Sequence, residues 1–330
     1  MSMHDADLDI MDRRLLGLAQ REFPLTRSPY TDLGRKLELS GDEVIERLGR
    51  LKSDGMVRQI GPIMDSSRLG YHSTLAAMQL ESAKLESAAR VLAIHAGISH
   101  AYLRDHAFNI WFTLAVPADI SIAVELDRIA RGCGAAGCIS LPALKVFKLR
   151  TYFDMEGGNY ATLDCSRGNH KTGMPELTQP EKLVINKLQQ DLSLTYAPFA
   201  SMASDADMDE GDFVETCVSL MRRGVIRRYG ASLDHNRAGY KVNALTCWQA
   251  DPGKVDFAAR QIAVFKEVSH CYERKTPENW RYNLFAMLHC RDKENYSEAI
   301  DRLSAASGLD EFISLFTLKE LKKTRIKYAV

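Results

Sequence analysis

The sequence has no surplus of charge of either sign: 43 Lys and Arg stand against 43 Asp and Glu in 330 residues. A protein whose main work is gripping nucleic-acid phosphates ordinarily carries a basic excess. A long apolar run is also missing. The most apolar window, Phe108 to Val124, is interrupted by Asn109, Pro117 and Asp119, too short and too polar to span a bilayer. The N-terminal MSMHDADLD is acidic where a signal peptide is basic, and no apolar core follows it. Seven scattered cysteines make an odd number and no disulfide framework. Cys133 and Cys138 have no second pair to complete a zinc site, so the thiols read as free and buried. P-loop, GxGxxG, nucleophile elbow and HExxH are all lacking. The expectation is a cytoplasmic protein without membrane contact.

What is present is globular: 45% hydrophobic and 26% charged residues exclude a disordered chain. At roughly 150 residues per domain, the length favours two units. A repeat bears this out within the sequence. Gly55-Met-Val-Arg-Gln-Ile-Gly61 recurs as Gly224-Val-Ile-Arg-Arg-Tyr-Gly230, and Asp65-x-x-Arg68-x-Gly70-Tyr71 as Asp234-x-x-Arg237-x-Gly239-Tyr240. Ser99-His100-x-Tyr102-x-Arg104 matches Ser269-His270-x-Tyr272-x-Arg274, and Asn109 in FNIWF matches Asn283 in YNLFA. Four matches in one order mark a tandem duplication.

Each copy has the same pattern. In the first, helical spacing runs over Leu8–Glu22 and Tyr30–Leu39, and Ser40 with Glu43 forms a capping-box signal for a third helix ending near Lys52. A short strand, Met56–Ile60, completes a winged helix-turn-helix. Then come strand His72–Leu80, helix Lys84–His95, strands Ile98–Arg104 and Phe108–Val116, helix Asp119–Gly132 and strand Leu141–Arg150. That order is β-α-β-β-α-β, the ferredoxin-like arrangement, with one sheet face left for a partner sheet or ligand. The fold class is α+β, a tandem duplication. Residues 1–61 form the first winged helix-turn-helix and 62–153 the first ferredoxin-like domain. A Gly-, Asn- and Ser-rich linker spans 154–176, followed by the second helix-turn-helix at 177–230 and the second ferredoxin-like domain at 231–330.

A helix-turn-helix suggests DNA, but its recognition helix must approach phosphates. In the second copy that stretch holds Asp205, Asp207, Asp209, Glu210, Asp212 and Glu215 and no Lys or Arg. The first copy starts its helix with Asp42-Glu43, followed by Arg47, Arg50 and Lys52. Both modules therefore read as packing or dimerisation units, and no DNA is expected. Arg222, Arg223, Arg227 and Arg228 are a solvated surface or an anion site; both readings stand.

Side chains alternate along a strand, so His100, Tyr102 and Arg104 share a face, as do His270, Tyr272 and Arg274. Packing alone favours apolar groups there, so the recurrence in both copies points to a ligand between the two sheets. His72 and Lys241 follow the repeated Gly-Tyr pairs, and Trp280 precedes the second copy's YNLFA strand. Trp111 reads as core filler in preference to a stacking residue. His95, His106, His235 and His289 have no counterpart in the repeat and are weaker candidates. Lys145, Lys148 and Arg150, and the C-terminal Lys319, Lys322, Lys323, Arg325 and Lys327, are solvated surface or carboxylate clamps.

The order of domains resembles the Lrp/AsnC architecture. Within it, GYHSTLAAM…ISHAYLRDHAFNIWFTLAV and IRRYGASLDHNRAGYKVNAL…VSHCYERKTPENWRYNLFAMLHC resemble the two subunit types of the siroheme decarboxylases, as in a fusion of a heterodimer. The resemblance covers nearly the whole chain outside the linker. It implies removal of CO2 from the C12 and C18 acetates of siroheme to give 12,18-didecarboxysiroheme, for heme d1 or an alternative heme pathway. It also implies active-site histidines, carried by motif position onto His100 and His270.

Loss of CO2 from an acetate on a pyrrole leaves a carbanion that the macrocycle delocalises, so no separate cofactor is expected; the siroheme iron belongs to the substrate. A histidine suits the proton donation that follows. Arg104, Arg274, Arg227 and Arg228 suit bidentate contacts to carboxylates, while Tyr102 and Tyr272 suit hydrogen bonding or stacking. Axial ligation of the siroheme iron by His100 or His270 is not separated from acid catalysis by the sequence. The site is expected between the two ferredoxin-like domains of a pseudo-dimer, itself able to pair as a homodimer. The alternatives are an Lrp/AsnC-type regulator and a tetrapyrrole-binding protein without turnover.

Overall fold

The computed structural model describes residues 8–149, 153, 155 and 176–330. The linker expected at 154–176 thus lies almost wholly outside the described residues. In the first copy, α1 (Ile10–Arg21), α2 (Pro29–Leu37) and α3 (Gly41–Ser53) form the helix-turn-helix. The capping box closes as its residues require: Glu43 N–H donates to Ser40 Oγ, and Ser40 N–H to Glu43 Oε2. The second copy answers with α6 (Gln179–Leu188), α7 (Pro198–Ser204) and α8 (Glu210–Arg222), and Thr178 and Glu181 make the same box.

The expected wings do not form separately. Strand β1 (Val57–Met64) pairs antiparallel with β7 (Ile226–Leu233) of the other copy, with Gly61 opposite Gly230. Glycine is needed at 230, where a Cβ would lie only 2.5 Å from the Ala19 carbonyl oxygen, while at Gly61 the nearest atom is the end of the Arg325 side chain. The core beneath this ribbon joins both helix-turn-helix units, with Leu15, Leu48, Ile60, Ile185, Phe213 and Ile226 fully buried together. The two modules are thus one packed body.

The ferredoxin-like parts contain β2 (Tyr71–Gln79), α4 (Leu85–Ile94), β3 (Ile98–Arg104), β4 (Ile110–Pro117), α5 (Ile122–Cys133), β5 (Gly137–Leu141) and β6 (Ala143–Leu149) in the first copy. The second has β8 (Val242–Trp248), α9 (Val255–Ala263), β9 (Val268–Arg274), β10 (Leu284–Cys290), α10 (Lys293–Ser307) and β11 (Phe312–Lys323). The single strand expected at Leu141–Arg150 is instead broken at Pro142, which has no N–H for a ladder. Before the break β5 pairs with β2 of its own copy; after it β6 pairs with β9 of the other. The unbroken β11 does the same, pairing first with β8 and then with β3.

The sheet order is β5-β2-β4-β3-β11-β8-β10-β9-β6. Its two ends are joined through Pro142, so the sheet wraps round on itself as a cylinder. Helices cover the outside over two apolar layers, one around Leu92, Phe112 and Ile129 and one around Ile262, Leu288 and Leu303. The repeated asparagines pin the cylinder's hairpins. Asn109 Nδ2 donates to the Leu80 carbonyl and its Oδ1 accepts from Leu80 N–H; Asn283 does both to Ala250.

Candidate active site

Alternation along the strands turns one set of side chains into the cylinder. Trp111, Leu141, Leu245, Cys247, Phe285 and Leu315 close one end as an apolar plug. Toward the other end the interior opens as a cavity of about 1210 Å3, roofed by β1 and β7. His100, Tyr102 and Arg104 line it from one copy and His270, Tyr272 and Arg274 from the other. The shared face read from the sequence is therefore an inner wall, and the two walls enclose one space.

Each histidine is oriented by its neighbouring serine. His100 Nδ1 lies 2.9 Å from Ser99 Oγ and His270 Nδ1 2.8 Å from Ser269 Oγ. Ser269 Oγ donates its only proton to the Met287 carbonyl, 3.2 Å away, so it accepts from His270 Nδ1–H. That tautomer leaves Nε2 as the free position, with no protein partner among the described residues. Burial, with the charges of Lys323, His270 and Arg58 added, holds His100 down to about 4. Burial, then Arg274 and Lys148, holds His270 at about 4. Burial therefore keeps both rings neutral at neutral pH.

Arg104 and Arg274 are fasteners as much as lining. Arg104 Nη1 donates to the Leu315 carbonyl of the second copy (2.6 Å), and Arg274 Nη1 to the Leu141 carbonyl of the first (2.8 Å). Each guanidinium lies over its own strand's tyrosine, 5.3 Å from the Tyr102 ring and 4.7 Å from Tyr272. Burial depresses Arg104 to about 10, and also lowers Arg274. The Nε of each has no hydrogen-bond partner among the described residues. At the roof, Arg227 is held 2.8 Å from Asp65 Oδ2, and Arg228 donates to the Gln20 carbonyl.

Three candidates are not brought to the cavity. His72 and Lys241 are exposed at their strands' outer ends, where Ser73 and Asn243 take the inward positions. Trp280 sits in the β9–β10 connection, buried against Trp111 with ring centroids 5.2 Å apart, outside the closed end.

The lining also contains residues that the sequence did not assign to the site. Arg58, Lys323, Arg325 and Lys327 join the proposed arginines, and His289 adds a third imidazole. Arg58 carried a usable signal, since it occupies the place of Arg227 in the repeated glycine-bounded motif. Lys323, Arg325 and Lys327 were readable only as either solvated surface or carboxylate clamps, and His289 only as a weaker candidate without a counterpart in the repeat. Among the described residues, eleven Lys and Arg line the cavity against two Glu. In a chain with no net charge, that is a concentrated positive field for an anion with several carboxylates. The second copy's α8 and the turn before it present acids instead: Asp205, Asp207, Asp209, Asp212 and Glu215 are all exposed. No helix among the described residues is long and apolar enough to cross a membrane.

Comparison with known proteins agrees with this arrangement. A family model described as an AsnC-like ligand binding domain matches residues 68–148 and 237–322. Another, the siroheme decarboxylase NirDL-like HTH domain, matches 12–58 and 181–227. The siroheme decarboxylase of Hydrogenobacter thermophilus is 36% identical over 316 residues, covering 96% of this chain and 94% of the relative. The siroheme decarboxylase alpha subunit of Desulfovibrio desulfuricans is 39% identical over 46% of this chain and 87% of its own length, so one subunit corresponds to one half. A crystal structure of the siroheme decarboxylase NirDL with an iron-uroporphyrin III analogue superposes with a TM-score of 0.72. It is 32% identical, covering 97% of this chain and 95% of that one.

Proposed function

The chain belongs to the siroheme decarboxylase family, and from that premise we propose that siroheme enters the cylinder's cavity and loses the carboxyl groups of its acetates there. The enzyme is a carboxy-lyase, a single-chain counterpart of the two-subunit decarboxylases, and its reaction fits heme d1 biosynthesis. The finer assignment follows the family: the C12 and C18 acetates are the ones removed, giving 12,18-didecarboxysiroheme.

One observation carries the reading. Two His-Tyr-Arg walls face a single cavity whose lining is strongly cationic, which suits a flat molecule bearing eight carboxylates. His270 is assigned as a proton donor, and His100 as its counterpart across the cavity. Burial is the main cause that keeps the imidazoles neutral, and carboxylates entering beside them favour the charged ring, so Nε2 gains a proton. In the step itself the bond between the acetate CH2 and its carboxylate breaks. The electron pair moves into the pyrrole, CO2 leaves, and the Nε2 proton goes to the CH2 carbon to make a methyl group. Solvent then returns the proton to Nε2. The macrocycle is the electron sink, so the proposal needs no further cofactor. Tyr102 and Tyr272 are assigned to substrate contact, with Arg104 and Arg274 holding both rings in place.

The regulator alternative is disfavoured by the exposed acids of the recognition helix. Anaerobic incubation with siroheme, followed by mass analysis, tests the enzyme against a non-catalytic carrier. Loss of two carboxyl groups is expected, and recovery of intact siroheme after prolonged incubation sinks the proposal.

A further inference from the structure

The two halves of the cavity differ most beside the histidines. In the antiparallel register Lys323 stands opposite His100, and Leu149 stands opposite His270. Glu320 stands opposite Tyr102 where Val146 faces Tyr272. Counting from the Tyr102–Trp111 and Tyr272–Phe285 pairs, His289 occupies the place that Ala115 has in the other half. The strand beside His100 thus brings a cation and a carboxylate where the strand beside His270 brings two apolar residues, and His289 lies on the other flank of the His270 strand.

Lys323 is the distinctive group. It is largely buried, with 19% of its side chain exposed. Its Nζ lies 3.1 Å from His235 Nδ1 and 3.8 Å from Glu320 Oε2, while Arg58 Nη1 approaches Glu320 more closely, at 3.1 Å. An ammonium has three donors, so this one retains capacity for an anion in the cavity it lines.

An ammonium bonded to a carboxylate opposes decarboxylation of that carboxylate. The charge is on the carboxylate in the ground state and in the macrocycle at the transition state, so the ion pair is strongest before reaction. Leu149, which lines the cavity beside His270, offers no such hold to a carboxylate placed against it. We propose that Lys323 is a substrate-positioning residue: it anchors a carboxylate that siroheme keeps, and so presents a departing acetate to His270 beside Leu149. The two copies then have unequal tasks, anchoring and chemistry. This rests on the siroheme decarboxylase reading above.

Steady-state CO2 release from siroheme by the full chain tests it, with equilibrium siroheme binding followed by absorbance. Lys323→Leu and Lys323→Gln are expected to raise KM and Kd by about tenfold or more, with kcat within about threefold, as for loss of a charged hydrogen bond made equally in both states. Gln keeps a polar side chain toward His235 and so guards against a folding defect. Lys323→Arg is expected to recover most of the binding, whereas His270→Ala lowers kcat instead. Unchanged KM and Kd in Lys323→Gln, or a fall in kcat at constant KM, overturns the anchor. Should the unmodified protein bind siroheme without releasing CO2, the enzyme reading fails, and Kd alone decides the anchor.

Discussion

Arg58 of the first copy bonds Asp234 of the second, with Arg58 Nε 3.0 Å from Asp234 Oδ2. Arg227 and Asp65 form the reciprocal pair, Nη2 to Oδ2 at 2.8 Å. The repeated motifs are therefore halves of an interlock, each arginine closing on the other copy's aspartate beside the β1–β7 ribbon. Both pairs lower the aspartates below the ordinary carboxylate range, against the opposing effect of burial.

Removing one partner of a half-buried pair leaves a poorly solvated charge. Asp234→Ala is expected to destabilise the protein by about 1–3 kcal/mol, read as a lower denaturant midpoint. Adding Arg58→Ala to it should cost less than the sum of the two singles. Strict additivity in that double-mutant cycle would show that the two do not interact.

The histidine assignment predicts a kinetic split from the seam arginines. His270→Ala and His100→Ala are expected to slow CO2 release by about 100-fold or more, the usual scale for a lost general acid, with little change in melting temperature. Full activity in both single variants would end the assignment. Arg104→Met should lower stability as well, since the Leu315 carbonyl loses its bond.

Four buried imidazoles bear on pH. Burial leads the causes that lower His100, His235 and His270 to about 4, and that push His289 well below its ordinary value. Unfolded histidines titrate near 6.5, so between about 6.5 and 4 the unfolded chain binds protons that the folded one does not. Stability without substrate should fall as pH drops through that window and be insensitive to these groups above it. Chemical denaturation at pH 7 and pH 5 checks this, and equal or greater stability at pH 5 contradicts it. Siroheme binding, which brings carboxylates to the imidazoles, should be accompanied by proton uptake measurable by calorimetry in two buffers.

The elements of each copy were legible because they depend on local pattern. Ser40 and Glu43 announced a helix start, and strand Ile98–Arg104 was readable to its ends from alternation and the repeat. The inward sharing of His100, Tyr102 and Arg104 followed from strand period. The partnerships were not legible. Nothing local in Met56–Ile60 says that it pairs with the other copy's strand, and Pro142 marks a break without saying where the chain goes next. Trp280, beside a strand in sequence, lies beyond the cylinder's end because its connection folds over the plug.

The sequence by itself determined the duplication, the domain order and the residue types that a tetrapyrrole decarboxylase needs. Those are written in periodicity, capping and repeated motifs, all of which act over a few residues. Only the tertiary structure decided that the two sheets close into one cylinder, that Arg58 and Arg227 are latched by the opposite copy's aspartates, and that Lys323 faces His100 where Leu149 faces His270. Such pairings join residues far apart in the chain, and they arise from burying both sheet faces and satisfying every strand edge at once. The balanced charge of the sequence is redistributed by the same closure, which gathers cations inside the cylinder and leaves acids on the helix that would meet DNA.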